Sequence, residues 1–137
     1  MAAPRADEVA DQLASSSADA VAAALSRVRS YTRLSPEDIG TSGEVAIALG
    51  DARLAFAASL VEKDGARLVY DAWERAEARD LAVLRPLPLF VLAQLLTLLG
   101  AHQPYHALGE QIIECLFAAD APWMERALAY VASATRK

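Results

Sequence analysis

The sequence predicts an all-α fold, and three observations carry that expectation. Alanine is the commonest residue, with 31 copies in 137, and with leucine it favours helix. The β-branched and aromatic residues that favour strands are sparse, aromatics making up 7% of the chain. Prolines, serines and glycines stand where helices begin and end. The expected architecture is six to seven antiparallel helices, as stacked hairpins or a layered bundle, with no sheet. A single domain covers residues 1–137, with an N-terminal helical segment 4–32, a linker 33–41 and core helices 42–135.

Each element has a local reason. A short helix starts from about Pro4. Ser17 is placed to cap a helix running to about Tyr31. In "RLSPEDIG", Ser35 caps a single turn, Pro36 suits its first position and Gly40 ends it. Thr41 and Glu44 have capping-box spacing, so a helix is expected from about Ser42 to Lys63, stopped by Asp64–Gly65. At 100° per residue its apolar positions form two stripes. Val45, Leu49, Ala52, Phe56 and Leu60 make one; Ile47, Leu54, Ala58 and Val61 make the other. A helix apolar on two opposite sides is sandwiched between others. The next helix runs from about Ala66 to Leu84, with Val69, Trp73, Ala76 and Val83 buried and Asp71 paired with Arg75 on the wet side. Pro86 and Pro88 break it. Three segments then open at Pro88, Pro104 and Pro122, and Gly100 stops the first.

Composition limits function. Hydrophobic residues make up 55% and charged ones 23%, which suits a globular domain. The net charge is −5 and the eleven arginines read as scattered among acids. A nucleic-acid partner needs a concentrated basic footprint, so none is expected. The arginine bias over lysine, eleven to two, with the alanine excess suits a GC-rich bacterial source. The single cysteine cannot form an internal disulfide. "MAAPRADEVADQL" carries acids and no apolar run, unlike a secretory signal. The most apolar segment, Pro86 to Ala101, would span roughly 24 Å as a helix, short of a bilayer core of about 30 Å. No membrane partner and a cytoplasmic location are expected.

His102, His106, Glu110 and Glu114 recur every four residues and would share one face of an unbroken helix, as a metal site requires. Pro104 lies between the histidines, however, and proline is tolerated in the first turn of a helix but not its interior. His102 therefore belongs to a turn and His106 to a helix start. No other His or Cys is available for tetrahedral coordination, and no metal or other cofactor is expected. Cys115 falls on the core side with Leu108 and Ile112, as a buried thiol rather than a nucleophile. No nucleophile elbow, phosphate loop or acidic metal loop occurs, so no catalytic residue is assigned and the chain reads as no enzyme.

From Pro88 to Pro122 is 34 residues, one helix-turn-helix. This resembles the tetratricopeptide class or other helical-hairpin repeats. With Phe90 in the repeat's first aromatic position, its Leu, Gly and Tyr positions hold Ala93, Gln94 and Thr97, and the small position of the second helix holds His106. The resemblance implies a concave surface that takes a peptide or a partner helix.

Surplus apolar residues point the same way. Ile113 and Phe117 fall beside His106 and Glu110, opposite the Leu108–Ile112–Cys115 stripe, and the last segment is broadly apolar through Trp123, Met124, Ala127, Leu128, Tyr130 and Val131. Such surface must be covered. Either the last two helices pack on each other, or Trp123, Tyr130, Phe117, Ile113 and Met124, with His106 and Glu110, form a face for a partner. The expected function is a protein-interaction module, an adaptor, chaperone-like or inhibitory partner. It would bind another protein or a second copy of itself through apolar helix surface with an acidic rim. The alternatives are a small-ligand bundle with Phe90, Trp73 and Tyr70 lining its pocket, and a metalloprotein using His106 and Glu110.

Overall fold

A computed structural model describes residues 4–40, 45–79 and 87–118. The described residues form six α-helices: α1 (Ala6–Leu13), α2 (Ala18–Tyr31), α3 (Ala52–Glu62), α4 (Gly65–Arg79), α5 (Leu87–Gly100) and α6 (His106–Ala118), with single 3-10 turns at Pro36–Asp38 and Gln103–Tyr105. The fold is all-α. One isolated antiparallel bridge, Ile39 to Val45, is the only β pairing among the described residues. No helix among them is long and apolar enough to cross a membrane.

The capping expectations hold at α2 and at the first 3-10 turn. The Ser17 hydroxyl accepts from the Ala20 N–H at 3.3 Å. Ser35 and Asp38 close a reciprocal capping box over Pro36–Asp38. The helix expected from Ser42 begins instead at Ala52. Thr41 and Glu44 lie outside the described residues. Val45 pairs with Ile39 and the Ala46 N–H donates to the Asp38 carbonyl at 2.7 Å, so this stretch is held extended. Asp51 is the stronger start signal: its carboxylate accepts from the Arg53 N–H at 2.8 Å, and Gly50 before it is a poor helix interior. Ile47 is therefore buried from a loop, while Leu49 is 57% exposed.

The α3–α4 joint also differs in detail. Asp64, not Gly65, takes the left-handed backbone, at φ 66°. Gly65 opens α4 where a Cβ would collide with the Leu60 carbonyl and side chain. Glycine is required there by the close approach of two helices rather than by its dihedral freedom. In α4, Val69, Trp73 and Ala76 are buried as expected, and Val83 lies outside the described residues. Asp71 pairs not with Arg75 but with Arg67, at 3.2 Å. Arg75 reaches across to the end of α1, donating to the carbonyls of Ser15 at 2.8 Å and Leu13 at 3.3 Å. Those carbonyls have no partner within α1, so they outcompete a solvated carboxylate.

α5 is the centre of the molecule. Leu89, Val91, Leu92, Ala93, Leu95, Leu98 and Leu99 are all buried, so no single face is wet, and the helix touches α2, α3, α4 and α6. α1 likewise touches α2, α3 and α4. Repeat solenoids pack each unit on its neighbours alone; these helices form a layered bundle around α5. The buried polar residue of this apolar helix, Gln94, is paired. Its amide donates to the Arg29 carbonyl at 2.8 Å and to the Thr32 hydroxyl at 2.7 Å, and that hydroxyl donates to the Val28 carbonyl at 2.7 Å. The Gln94 amide and the Thr32 hydroxyl thus both spend their donors, as burial demands.

Candidate functional site

α5 and α6 form a hairpin closed by the turn at His102. His102 is buried, as a turn residue with a job: Nδ1 lies 3.0 Å from the Leu98 carbonyl and Nε2 2.6 Å from the Ile47 carbonyl. An imidazolium donates to both, and a neutral ring to one. The ring thereby ties the hairpin to the loop that precedes α3. It is not on one face with His106, and the four-rung ladder is broken as Pro104 implies.

His106, Glu110, Ile113 and Phe117 do share a stripe of α6, spaced by four, three and four residues, and all are exposed. Ile113 is 37% and Phe117 72% exposed. Leu108, Ile112, Cys115 and Leu116 turn the other way, with Ile112 and Leu116 fully in the core. Beside the stripe runs a shallow groove of about 260 Å³, lined by Leu96, Gly100, His106, Gly109, Glu110 and Ile113. Its floor is low because two glycines meet there: the Gly109 Cβ position lies 3.7 Å from the Gly100 Cα. Glu110 and Glu114, one turn apart and both exposed, give the stripe an acidic flank. Trp123, Met124 and Tyr130, the other residues expected on this face, lie outside the described residues, as does any packing of the last segment on α6.

On the opposite flank of α6 lies a cleft of about 240 Å³ that includes Asp64, Arg67, Tyr70, Glu114 and Cys115. Burial pushes the Cys115 thiol up from its ordinary pKa, with only partial relief from the Arg67 charge. Burial and the Glu74 carboxylate push the Tyr70 phenol up too. Both groups keep their protons at neutral pH and neither is an activated nucleophile. Tyr70 and Trp73 stack at 5.7 Å in the core, while Phe90 lies beneath the Arg29 guanidinium, 5.8 Å from it. Of the three aromatics expected to line one ligand pocket, Tyr70 and Trp73 meet and Phe90 contacts Arg29 instead. Trp73 Nε1 is the one buried side-chain donor without a partner among the described residues.

The strongest electrostatic cluster was not legible as a site and is structural. Arg53 donates to the Asp38 carboxylate at 2.9 and 3.1 Å, to Asp51 at 3.0 and 3.1 Å and to the Arg33 carbonyl at 3.0 Å. These bonds hold the Asp38 carboxyl well below the usual carboxylate range, lower that of Asp51 and raise the guanidinium above its own. The cluster fastens the turn after α2 to the start of α3. Among the described residues no group of three or more His, Cys, Asp or Glu side chains is placed to hold a metal ion. The chain matches no protein-family model, and neither a curated protein nor a solved structure matches it.

Proposed function

We propose that this protein is a non-catalytic interaction module whose α5–α6 groove receives an amphipathic helix, with basic flanks, from a partner protein. One observation carries the reading: Ile113 and Phe117 stand exposed in line with a groove floored by Gly100 and Gly109. Apolar anchors beside a concavity are the form in which helix-in-groove recognition buries its contact residues. Glu110 and Glu114 on the flank, in a chain of net charge −5, select a basic partner and speed its encounter.

A photoreactive phenylalanine analogue at position 117 of the full chain tests this, with a synthetic leucine–lysine amphipathic helix as probe. The expected result is a saturable cross-link to the peptide. It weakens in Ile113→Ser and for a leucine–glutamate counterpart. A cross-link formed only within the chain, to residues 119–137, overturns the reading, because the last segment then owns the face. So does one formed only between two copies.

A further inference from the structure

His102 is buried between two backbone carbonyls, one four residues back in the chain and one 55 residues back. A carbonyl oxygen only accepts. Both contacts are therefore hydrogen bonds only when both ring nitrogens carry protons. A neutral ring turns one nitrogen lone pair toward an oxygen, and in a buried place that leaves two acceptors face to face.

The surroundings offer a cation partial negative charge but no counter-ion. His102 stands two residues beyond the end of α5, where the last carbonyls of a helix favour positive charge. α5 itself holds no charged residue. In the turn 101–105 the other titratable group is the Tyr105 phenol. The strap 45–51 brings Asp51, which is spent on Arg53. α3 brings Arg53, spent on Asp38 and Asp51, and Glu62 at its far end. α6 brings His106, Glu110 and Glu114, all exposed. None of these makes an ion pair with the ring among the described residues.

The two carbonyls are not equally fixed. Leu98 belongs to α5, and the turn after it is closed on itself. The His102 N–H donates to the Leu99 carbonyl at 3.1 Å, and the Tyr105 N–H to the His102 carbonyl at 2.9 Å. Ile47 belongs to the strap. The strap is pinned at one end by the Ala46 N–H on the Asp38 carbonyl and at the other by Asp51 on Arg53. The His102 ring holds its middle.

We propose that His102 is a proton-operated latch. The protonated ring holds the strap against the α5–α6 turn; release of the Nε2 proton to solvent frees Ile47 and opens the apolar side of the strap. The neutral ring keeps its Nδ1–H on Leu98, because that carbonyl cannot move away from it. Ile47, buried in the closed form, then joins Leu49, which is already exposed. The strap gains apolar surface as pH rises through the range in which histidine exchanges its charge, about pH 5 to 8. That range lies above the carboxylate titrations of the Arg53 cluster. The latch stands independently of the helix-binding reading.

NMR of the full chain, labelled with ¹⁵N and titrated across that range, tests it without any substitution. At the acid end both His102 nitrogens should carry protons. Toward the alkaline end Nε2 should lose its proton and Nδ1 keep it, with the Ile47 and Leu49 resonances moving at the same midpoint. Amide exchange at Ala46, corrected for its intrinsic pH dependence, should quicken about tenfold, the loss of one hydrogen bond. His102→Gln should remove the pH dependence of the strap resonances. A ring that keeps one neutral tautomer throughout, strap resonances that stay still or follow the His106 midpoint, or an unchanged pH dependence in His102→Gln would each overturn the latch.

Discussion

α5 and α6 are consecutive helices of nearly equal length, and both are mostly apolar, yet they spend that apolarity differently. α5 has Leu89, Leu92, Leu95, Leu98 and Leu99 buried on all sides. α6 buries Ile112 and Leu116 and leaves Ile113 and Phe117 in water. Hydrophobicity summed along a helix therefore says little about its role. What matters is whether neighbours exist to cover each face, and α5 has four of them. The excess on α6 is the part of the core pattern that the described fold leaves uncovered.

Truncation separates the two helices most sharply. Leu95→Ala in α5 should cost about 2–5 kcal/mol, since it opens a cavity among packed neighbours. Phe117→Ser in α6 should stay within about 0.5 kcal/mol of the parent while abolishing the cross-linked peptide complex. Urea denaturation measures both. Equal losses would mean that Phe117 is covered in solution.

Gln94→Met is the next largest effect, about 1–3 kcal/mol, because the part-buried Arg29 carbonyl and the buried Thr32 hydroxyl lose their donor. Urea denaturation measures the loss. A stability equal to the parent's would mean that the Arg29 carbonyl and the Thr32 hydroxyl find another donor.

Acid titration sharpens the contrast by isolating the fastening that lies outside α5 and α6. Asp38 and Asp51 have folded pKa values depressed by Arg53. Their stabilisation is present in full above the unfolded aspartate value of about 3.9. It is lost as pH falls from there toward the lower folded values, because the unfolded chain binds the protons first. Asp38→Asn should cost about 1–3 kcal/mol at pH 7 and flatten the decline below about pH 4. Thermal unfolding from pH 2 to 7 reads this out. An unchanged acid limb would assign it to other carboxylates.

The smallest effect is a gain. A Cβ at Gly109 would meet Leu96 at 3.6 Å and Gly100 at 3.7 Å, ordinary contact distances. Gly109→Ala should therefore stabilise α6 by about 0.5–1 kcal/mol, and it should weaken peptide binding by raising the groove floor. Stabilisation with unaltered binding would move the binding face away from the groove.

Much of the fold was legible because helix punctuation is local. Ser17, Ser35 and Pro36 act within a few residues of where they stand. The stripe of His106, Glu110, Ile113 and Phe117 was legible for the same reason, since one helix carries it. Legibility failed where a partner was distant in sequence. Arg75 reads as the mate of Asp71 until α1 arrives with two unpaired carbonyls. The start of α3 was misplaced because the bridge to Ile39 and the hydrogen bond to Asp38 come from outside the segment. His102 reads as a plain turn residue until the Ile47 carbonyl meets its ring. Gln94 carried a usable signal, as a lone carboxamide in a leucine-rich helix must find a partner.

The reach of Arg75 to the end of α1 has a consequence for synthesis. An eight-residue helix is too short to persist alone in water, and α1 rests on α2, α3 and α4 with its last carbonyl closed from a residue 62 positions later. α1 leaves the ribosome first among the six helices and finds nothing to rest on. At translation rates of about 5–20 residues per second it waits on the order of 3–12 s for that arginine. Until then α2 alone, among its neighbours, can shield its apolar side, Ala6, Val9 and Leu13. The first of the six helices is in this sense completed only when the fourth arrives.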